Sequence, residues 1–186
     1  DLGSIVIKEN IKKSKLKPEE IDEVIMGQVL TSASGQNPAR QAAIQGGVPT
    51  EKTAYLINQV CGSGLRAIVA GYQAIMFNDS KIIIAGGQES MTNAPKIINY
   101  KNDSKLKLSE ENLINTMIKD GLWDAFNDYH MGITAENVAD KWQITRNEQD
   151  VFALSSQLKA EKALKEKKFE DEIAPVIYKN KKQIKI

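Results

Sequence analysis

A chain of 186 residues, 41% of them hydrophobic, is long enough to bury a sizeable core in one domain or slightly more. Its 25 basic and 24 acidic residues leave a net charge of +1, which supplies no general field to attract nucleic acid. A single cysteine excludes an internal disulfide framework and a cysteine-built zinc cage, and no apolar run is long enough to span a membrane, so a soluble, reducing compartment such as the cytoplasm is expected.

Leu2, Ile5 and Val6 recur at helical spacing among lysines and acids, which predicts an opening surface helix with one buried stripe. Pro18-Glu19-Glu20 suits a first helical turn, with proline pre-set in φ and acids at the positive end. Val24 to Leu30 reads as a strand, and Thr31 to Gln36 as a small polar loop. Asn37 is then an N-cap and Pro38 the first residue of a helix that ends at Gly46-Gly47, with Pro49 confirming the stop.

Ala54-Tyr55-Leu56-Ile57 is a short apolar run of the kind found in buried strands. It hands over, through Asn58-Gln59-Val60-Cys61-Gly62-Ser63-Gly64, to an apolar helix from Leu65 to Phe77. With only Arg66 and Gln73 as strong polar interruptions, that helix is expected to be buried on nearly all sides, its first turn inside the protein. Cys61 would sit at that turn. Unpaired N–H groups at a helix start favour negative charge, and such a position can pull a cysteine pKa from about 8.5 towards or below neutral, giving the thiolate that attacks. Gly62 and Gly64 remove bulk beside the sulfur, so that an acyl carbonyl could approach backbone N–H groups. A lone cysteine can equally be a small packing hydrophobe. Gly-Ser-Gly could also be an anion cradle, but Leu65, Arg66 and Ala67 follow where a dinucleotide fingerprint needs its third glycine.

Asn78-Asp79-Ser80 turns the chain into Lys81 to Ala85, a nearly all-apolar strand suited to a mainly parallel or mixed sheet. Alternating helices and strands to this point argue for an α/β layer fold. After Met91 the composition changes, and Asn99 to Glu111 reads as a solvated loop. Asp120 to Phe126 is a turn with exposed aromatics. Met131, Ala135, Val138, Ala139 and Trp142 share a helical face and read as core. Thr145-Arg146-Asn147-Glu148 is a capping box opening a long helix with Val151, Leu154 and Leu158 inward. Glu172 to Tyr178 reads as an edge strand interrupted by Pro175.

The segment Asn58 to Ala67 closely resembles the nucleophile segment of thiolases, in which a cysteine takes an acyl group from coenzyme A. Glu23 to Leu30, Gly35-Gln36-Asn37-Pro38-Ala39-Arg40-Gln41-Ala42, Ala85-Gly86-Gly87-Gln88-Glu89-Ser90-Met91 and Tyr129-His130-Met131-Gly132 through Ala139 agree with that family in order and spacing. The resemblance runs over essentially the whole chain. Cys-Gly-Ser-Gly and His-Met-Gly look like the acetyl-CoA acetyltransferase branch. What it implies is an α/β fold: a thiolase-like layered α/β/α half with a mixed sheet and a buried central helix, plus an inserted loop domain. The boundaries implied are 1–91 for the core, lacking its first strand, and 92–186 for an incomplete loop domain, together an N-terminal portion of a longer protein.

The resemblance makes Cys61 the acyl carrier and Leu122, His130 and Met131 walls of a channel for the pantetheine arm of coenzyme A. It implies acetyl-CoA and acetoacetyl-CoA as substrates, no permanently bound cofactor or metal, a role in lipid metabolism and a homo-oligomer, dimer or tetramer. No nucleic-acid or membrane partner is expected. The family's catalytic histidine, second cysteine and water-holding asparagine fall outside these residues, so the segment alone is expected to be inactive. His130, the only histidine, could instead pair with Cys61 or be a satisfied polar residue at a loop-to-helix junction. A broader-range 3-ketoacyl-CoA thiolase, a ketoacyl synthase and a non-catalytic acyl-CoA-binding module remain as alternatives.

Overall fold

A computed structural model describes residues 1–98 and 113–177. The chain divides into two compact units, 1–121 and 122–186. The expected solvated loop at Asn99 to Glu111 lies outside the described residues.

The first unit is built on a three-stranded parallel sheet in the order β2-β1-β3, with β1 at Glu23–Gly27, β2 at Thr53–Ile57 and β3 at Ile83–Gly87. Val24 stands level with Ala54 and Ile84, and Ile25 with Tyr55 and Ala85. Because side chains alternate along a strand, those two rows face opposite layers. Val24, Met26, Ala54, Leu56 and Ile84 join a core with Ile7 and Ile11 of α1 (Leu2–Ser14) and Ala39, Ala42 and Ala43 of α2 (Pro38–Gln45). Beneath the other row runs α3 (Ser63–Met76), where a Cβ added at Gly71 would lie 3.2 Å from Ile83 and 3.5 Å from Ala85. The expected three-layer α/β/α arrangement is therefore present, although the three described strands of the sheet run parallel and not mixed as expected. From β1 the chain moves one way across the sheet through α2, then back the other way through α3, so the two helices occupy opposite faces, as right-handed crossovers require.

Local chemistry sets the element ends. Asn37 caps α2 by accepting a hydrogen bond from the Arg40 amide at 3.0 Å, while its Nδ2 donates to the Ala54 carbonyl. Gly47, at φ +100°, turns the chain out of that helix. At the amino edge of the sheet the Asp22 carboxylate accepts from the Lys81 and Ile82 amides, at 2.7 and 3.0 Å. These bonds hold its carboxyl below the usual range, with the nearby Lys52 and Lys81 ammonium groups assisting.

Several expectations about burial are overturned. The buried stripe of α1 is Gly3, Ile7 and Ile11, whereas Leu2 and Val6 are exposed. A Cβ at Gly3 would displace the end of the Gln88 side chain and touch Ala42 at 3.0 Å. The helix α3 is not buried on all sides: Ser63, Ala67 and Gly71 face inward, while Leu65, Ile68, Tyr72, Met76 and Phe77 are exposed. One sheet can cover only one face of a helix, and no described residue covers the other.

Two shorter ladders follow, β4 (Lys96–Ile97) with β5 (Ile114–Asn115), and β6 (Trp123–Asp124) with β7 (Tyr129–His130). A π-helical turn, Met117–Leu122, leads into β6. In the second unit, α4 (Met131–Trp142) starts directly from β7, and α5 (Arg146–Lys165) begins at the anticipated capping box. There the Glu148 amide donates to Thr145 Oγ1 at 3.3 Å and the Thr145 amide donates to Glu148 Oε2 at 2.8 Å. The faces read as core are exposed here, Met131, Val138 and Trp142 on α4 and Val151, Leu154 and Leu158 on α5. Periodicity identified faces that can be covered, and no described residue covers them. The strand expected at Glu172 to Tyr178 does not form over the described part: 173–177 has no ladder, and Pro175 has no N–H to donate. Among the described residues no helix is long and apolar enough to cross a membrane.

Candidate functional site

The carboxyl ends of the three strands gather the site. Such ends, where successive crossovers diverge to opposite faces, are where open α/β sheets expose their loops. β1 and β3 finish in Gly27 and Gly87, which stand level in the register. Gln88 then donates to the Gln28 side chain at 2.9 Å, and Gln28 in turn donates to the Leu30 carbonyl at 2.8 Å. The Glu89 carboxylate accepts from the Val29 amide at 2.8 Å and the Leu30 amide at 3.3 Å. These bonds explain why β1 stops at Gly27 rather than continuing to Leu30.

Behind this platform the start of α3 comes unusually close to the sheet. A Cβ on Gly27 would lie 2.4 Å from the Ser63 carbonyl carbon and 2.5 Å from the Gly64 nitrogen, distances no structure tolerates. A bare Gly27 is thus a requirement for seating the helix start. Sequence reasoning missed this residue, although a glycine ending a strand was the available signal. Gly64, by contrast, faces open space, so its lack of a side chain answers no contact among the described residues.

Cys61 precedes the N-cap, Gly62, and its side chain is exposed. The expectation of an interior helix start does not hold for this chain, because the open face of α3 leaves the turn at the surface. The turn itself is tightly specified. The Gly62 amide donates to the Gln59 carbonyl and the Ser63 amide to the Val60 carbonyl, each at 3.1 Å, so Cys61 is a central residue of two overlapping turns. Val60 adopts φ +50°, a left-handed conformation that a β-branched residue strongly disfavours. Its amide donates to Asn58 Oδ1 at 2.9 Å. The Ser63 hydroxyl accepts from the Gln59 amide at 2.9 Å and donates to the Val60 carbonyl at 2.5 Å.

The other three site candidates lie together in the second unit. Trp123 pairs with His130 at the end of the β6–β7 ladder, where Leu122 closes the π-helical turn ahead of Trp123 and Met131 opens α4 after His130. His130 is the N-cap of α4: its Nδ1 accepts from the Gly132 amide at 2.9 Å. Of the readings open for this residue, the satisfied polar group at a loop-to-helix junction describes its local bonding. Leu122 and His130 are half-buried and Met131 is exposed. The hairpin between β6 and β7 is closed by Asp124, whose carboxylate accepts from the Phe126 and Asn127 amides and from Asn127 Nδ2, leaving Phe126 at 99% exposure on its tip.

Comparison with known proteins gives the same answer along the whole chain. The sequence profile of the thiolase N-terminal domain matches residues 1–186. The acetyl-CoA acetyltransferase of Paracoccus denitrificans is 54% identical over 182 residues, covering 98% of this chain and 46% of that protein. That of Cupriavidus necator is 53% identical over 182 residues, with the same shares covered. Among solved structures, the Bacillus anthracis acetyl-CoA acetyltransferase superposes with a TM-score of 0.92 at 34% identity, over 100% of this chain and 47% of that one. The Acat5 thiolase of Ascaris suum, solved in complex with coenzyme A, gives 0.86 at 38% identity, over 95% of this chain and 45% of that one. The chain thus spans a little under half the length of the relatives it matches. On the strength of a match over all its residues and of the shared fold, the chain belongs to the thiolase family, to whose N-terminal domain it corresponds.

Proposed function

We propose that this chain is the N-terminal portion of an acetyl-CoA C-acetyltransferase, which interconverts two molecules of acetyl-CoA with acetoacetyl-CoA and coenzyme A through an acetyl-Cys61 thioester. The observation that carries the reading is an exposed cysteine held on a strained strand-to-helix turn. A packing cysteine needs neither exposure nor that turn.

In the first half-reaction the Cys61 thiolate attacks the thioester carbonyl. The carbonyl oxygen gains charge, which the Cys61 N–H stabilises in this reading, and the carbon–sulfur bond to coenzyme A then breaks, releasing its thiolate. In the second, the enolate carbon of another acetyl-CoA attacks the acetyl-Cys61 carbonyl: a carbon–carbon bond forms and the bond to Cys61 breaks. Both halves need bases to move protons, and the resemblance to thiolases assigns these to a histidine and a second cysteine outside this chain. Residues 1–186 by themselves are accordingly expected to show no sustained cleavage of acetoacetyl-CoA.

Coenzyme A thioesters are the substrates in this reading, and no permanently bound cofactor takes part. Leu122, His130 and Met131 line the path of the pantetheine arm. The adjacency of these three at one end of a hairpin supports the assignment, and with Nδ1 accepting from Gly132, His130 Nε2 can donate to a pantetheine amide. Residues 1–91 belong to the core domain and 92–186 to an inserted loop domain. A cytoplasmic homo-oligomer, dimer or tetramer, acting in lipid metabolism, completes the proposal.

The direct test is a steady-state assay of the full-length protein with acetoacetyl-CoA and coenzyme A, against longer 3-ketoacyl-CoA thioesters. The proposal expects kcat/KM to be highest for the four-carbon substrate and to vanish in Cys61→Ser. A preference for longer chains would move the assignment to a broader-range 3-ketoacyl-CoA thiolase, and no turnover of any of them would reject it.

A further inference from the structure

Resting on the proposed role of Cys61, we infer that Ser63 is a positioning residue for that sulfur: its hydroxyl clamps the left-handed turn at Val60 that sets where Cys61 stands. Four observations converge. Ser63 is 4% exposed, so its hydroxyl is not a surface group. That hydroxyl makes two hydrogen bonds, one from the Gln59 amide and one to the Val60 carbonyl, and so ties the peptide ahead of Gln59 to the peptide that follows the strained residue. Val60 holds φ +50° although its side chain is half out in solvent and no packing forces it there, at 49% exposure. Finally, Gly62 offers no side chain to cap α3, and Ser63 reaches backward along the chain rather than forward into the helix as a capping serine does. Alanine would be the better helix former at this position. A serine here is therefore explained by the turn and not by the helix.

Without the clamp, Val60 keeps its bond to Asn58 and the two backbone turn bonds but loses the side-chain tie that opposes relaxation to negative φ. Cys61 is one residue away, so the sulfur and the Cys61 N–H would move together relative to the helix start. Acyl transfer needs both at once, and displacement of about 1 Å can cost two orders of magnitude in rate. A small alkylating reagent needs only the exposed sulfur. The two reactions therefore separate a positioning role from a general structural one.

The experiment uses the full-length protein and its Ser63→Ala variant. Acetylation of Cys61 by acetyl-CoA is followed by rapid quench, steady-state thiolysis gives kcat and KM, and iodoacetamide alkylation of Cys61 is timed across pH. The inference expects acetylation and kcat to fall about tenfold or more, with KM and the alkylation profile within about threefold of wild type. Adding Val60→Asn, a residue that enters the left-handed region readily, should restore at least about fivefold of the lost kcat. A smaller fall, an equal fall in alkylation, or no recovery in the double variant would overturn it. If Ser63→Ala does not fold, the double variant alone decides, kcat above about a tenth of wild type supporting the clamp and kcat below that contradicting it. Wild-type protein that never acetylates Cys61 would instead remove the proposed function, which keeps the two failures apart.

Discussion

At the scale of single residues, the account makes the position of one sulfur depend on groups that never touch a substrate. Cys61 is exposed among the described residues, so Cys61→Ser is expected to leave the melting temperature within about 2 °C while abolishing acetyl transfer. Gly27 is the opposite case. Gly27→Ala drives a methyl group into the Ser63 carbonyl and should cost about 3 kcal/mol or more, read by urea unfolding, or prevent folding outright. Gly64→Ala, with open space around it, should change stability by less than about 1 kcal/mol. Asp22 supplies a pH signature. Its folded-state carboxyl lies below its unfolded value, so its stabilisation is full above about pH 4 and is lost as pH falls through the lower folded value. Asp22→Ala should thus destabilise by about 1–2 kcal/mol at pH 7, through two lost amide partners, and the gap to wild type should shrink at acidic pH. A gap that stays constant with pH would contradict the ionised-carboxylate role.

At the scale of elements, what could be read from the sequence was whatever local chemistry decides. Asn37 with Pro38 and Thr145 with Glu148 are caps whose partners lie within three residues, so the helix starts they mark are where the residues themselves put them. Strand boundaries were less legible. β1 stops at Gly27 because Glu89, sixty residues on, takes the Val29 amide, and no pattern within Val24 to Leu30 contains that information. The left-handed Val60 was invisible for a different reason: intrinsic preference points a valine away from that region, and the bonds of the turn, those with Asn58 and Ser63 among them, hold it there. The cysteine's place ahead of a glycine-flanked helix was legible, because strand, thiol and glycines are contiguous.

At the scale of the molecule, the largest departure between pattern and structure concerns burial. α3 was expected to be enclosed, yet Leu65, Ile68, Tyr72 and Phe77 lie on its open face, as do Trp142 on α4 and Leu158 on α5. Hydrophobic periodicity reports which surface can be covered and is silent about what covers it. Apolar surface on this scale is rare on a stable monomer. Residues 1–186 produced alone should therefore self-associate or bind a hydrophobic dye such as anilinonaphthalene sulfonate, as size-exclusion chromatography and fluorescence would register. A dye-silent monomer of 1–186 would show that these faces are covered in solution by some rearrangement of the chain itself.

The central claim is that the turn at Val60 and Ser63 presents Cys61 as an acyl acceptor. Mass spectrometry of the full-length protein after incubation with acetyl-CoA tests it most directly. The account predicts an acetyl adduct on the peptide containing Cys61, discharged on adding free coenzyme A and absent in Cys61→Ser. A Cys61 peptide that stays unmodified, in protein whose thiol still reacts normally with iodoacetamide, would contradict it.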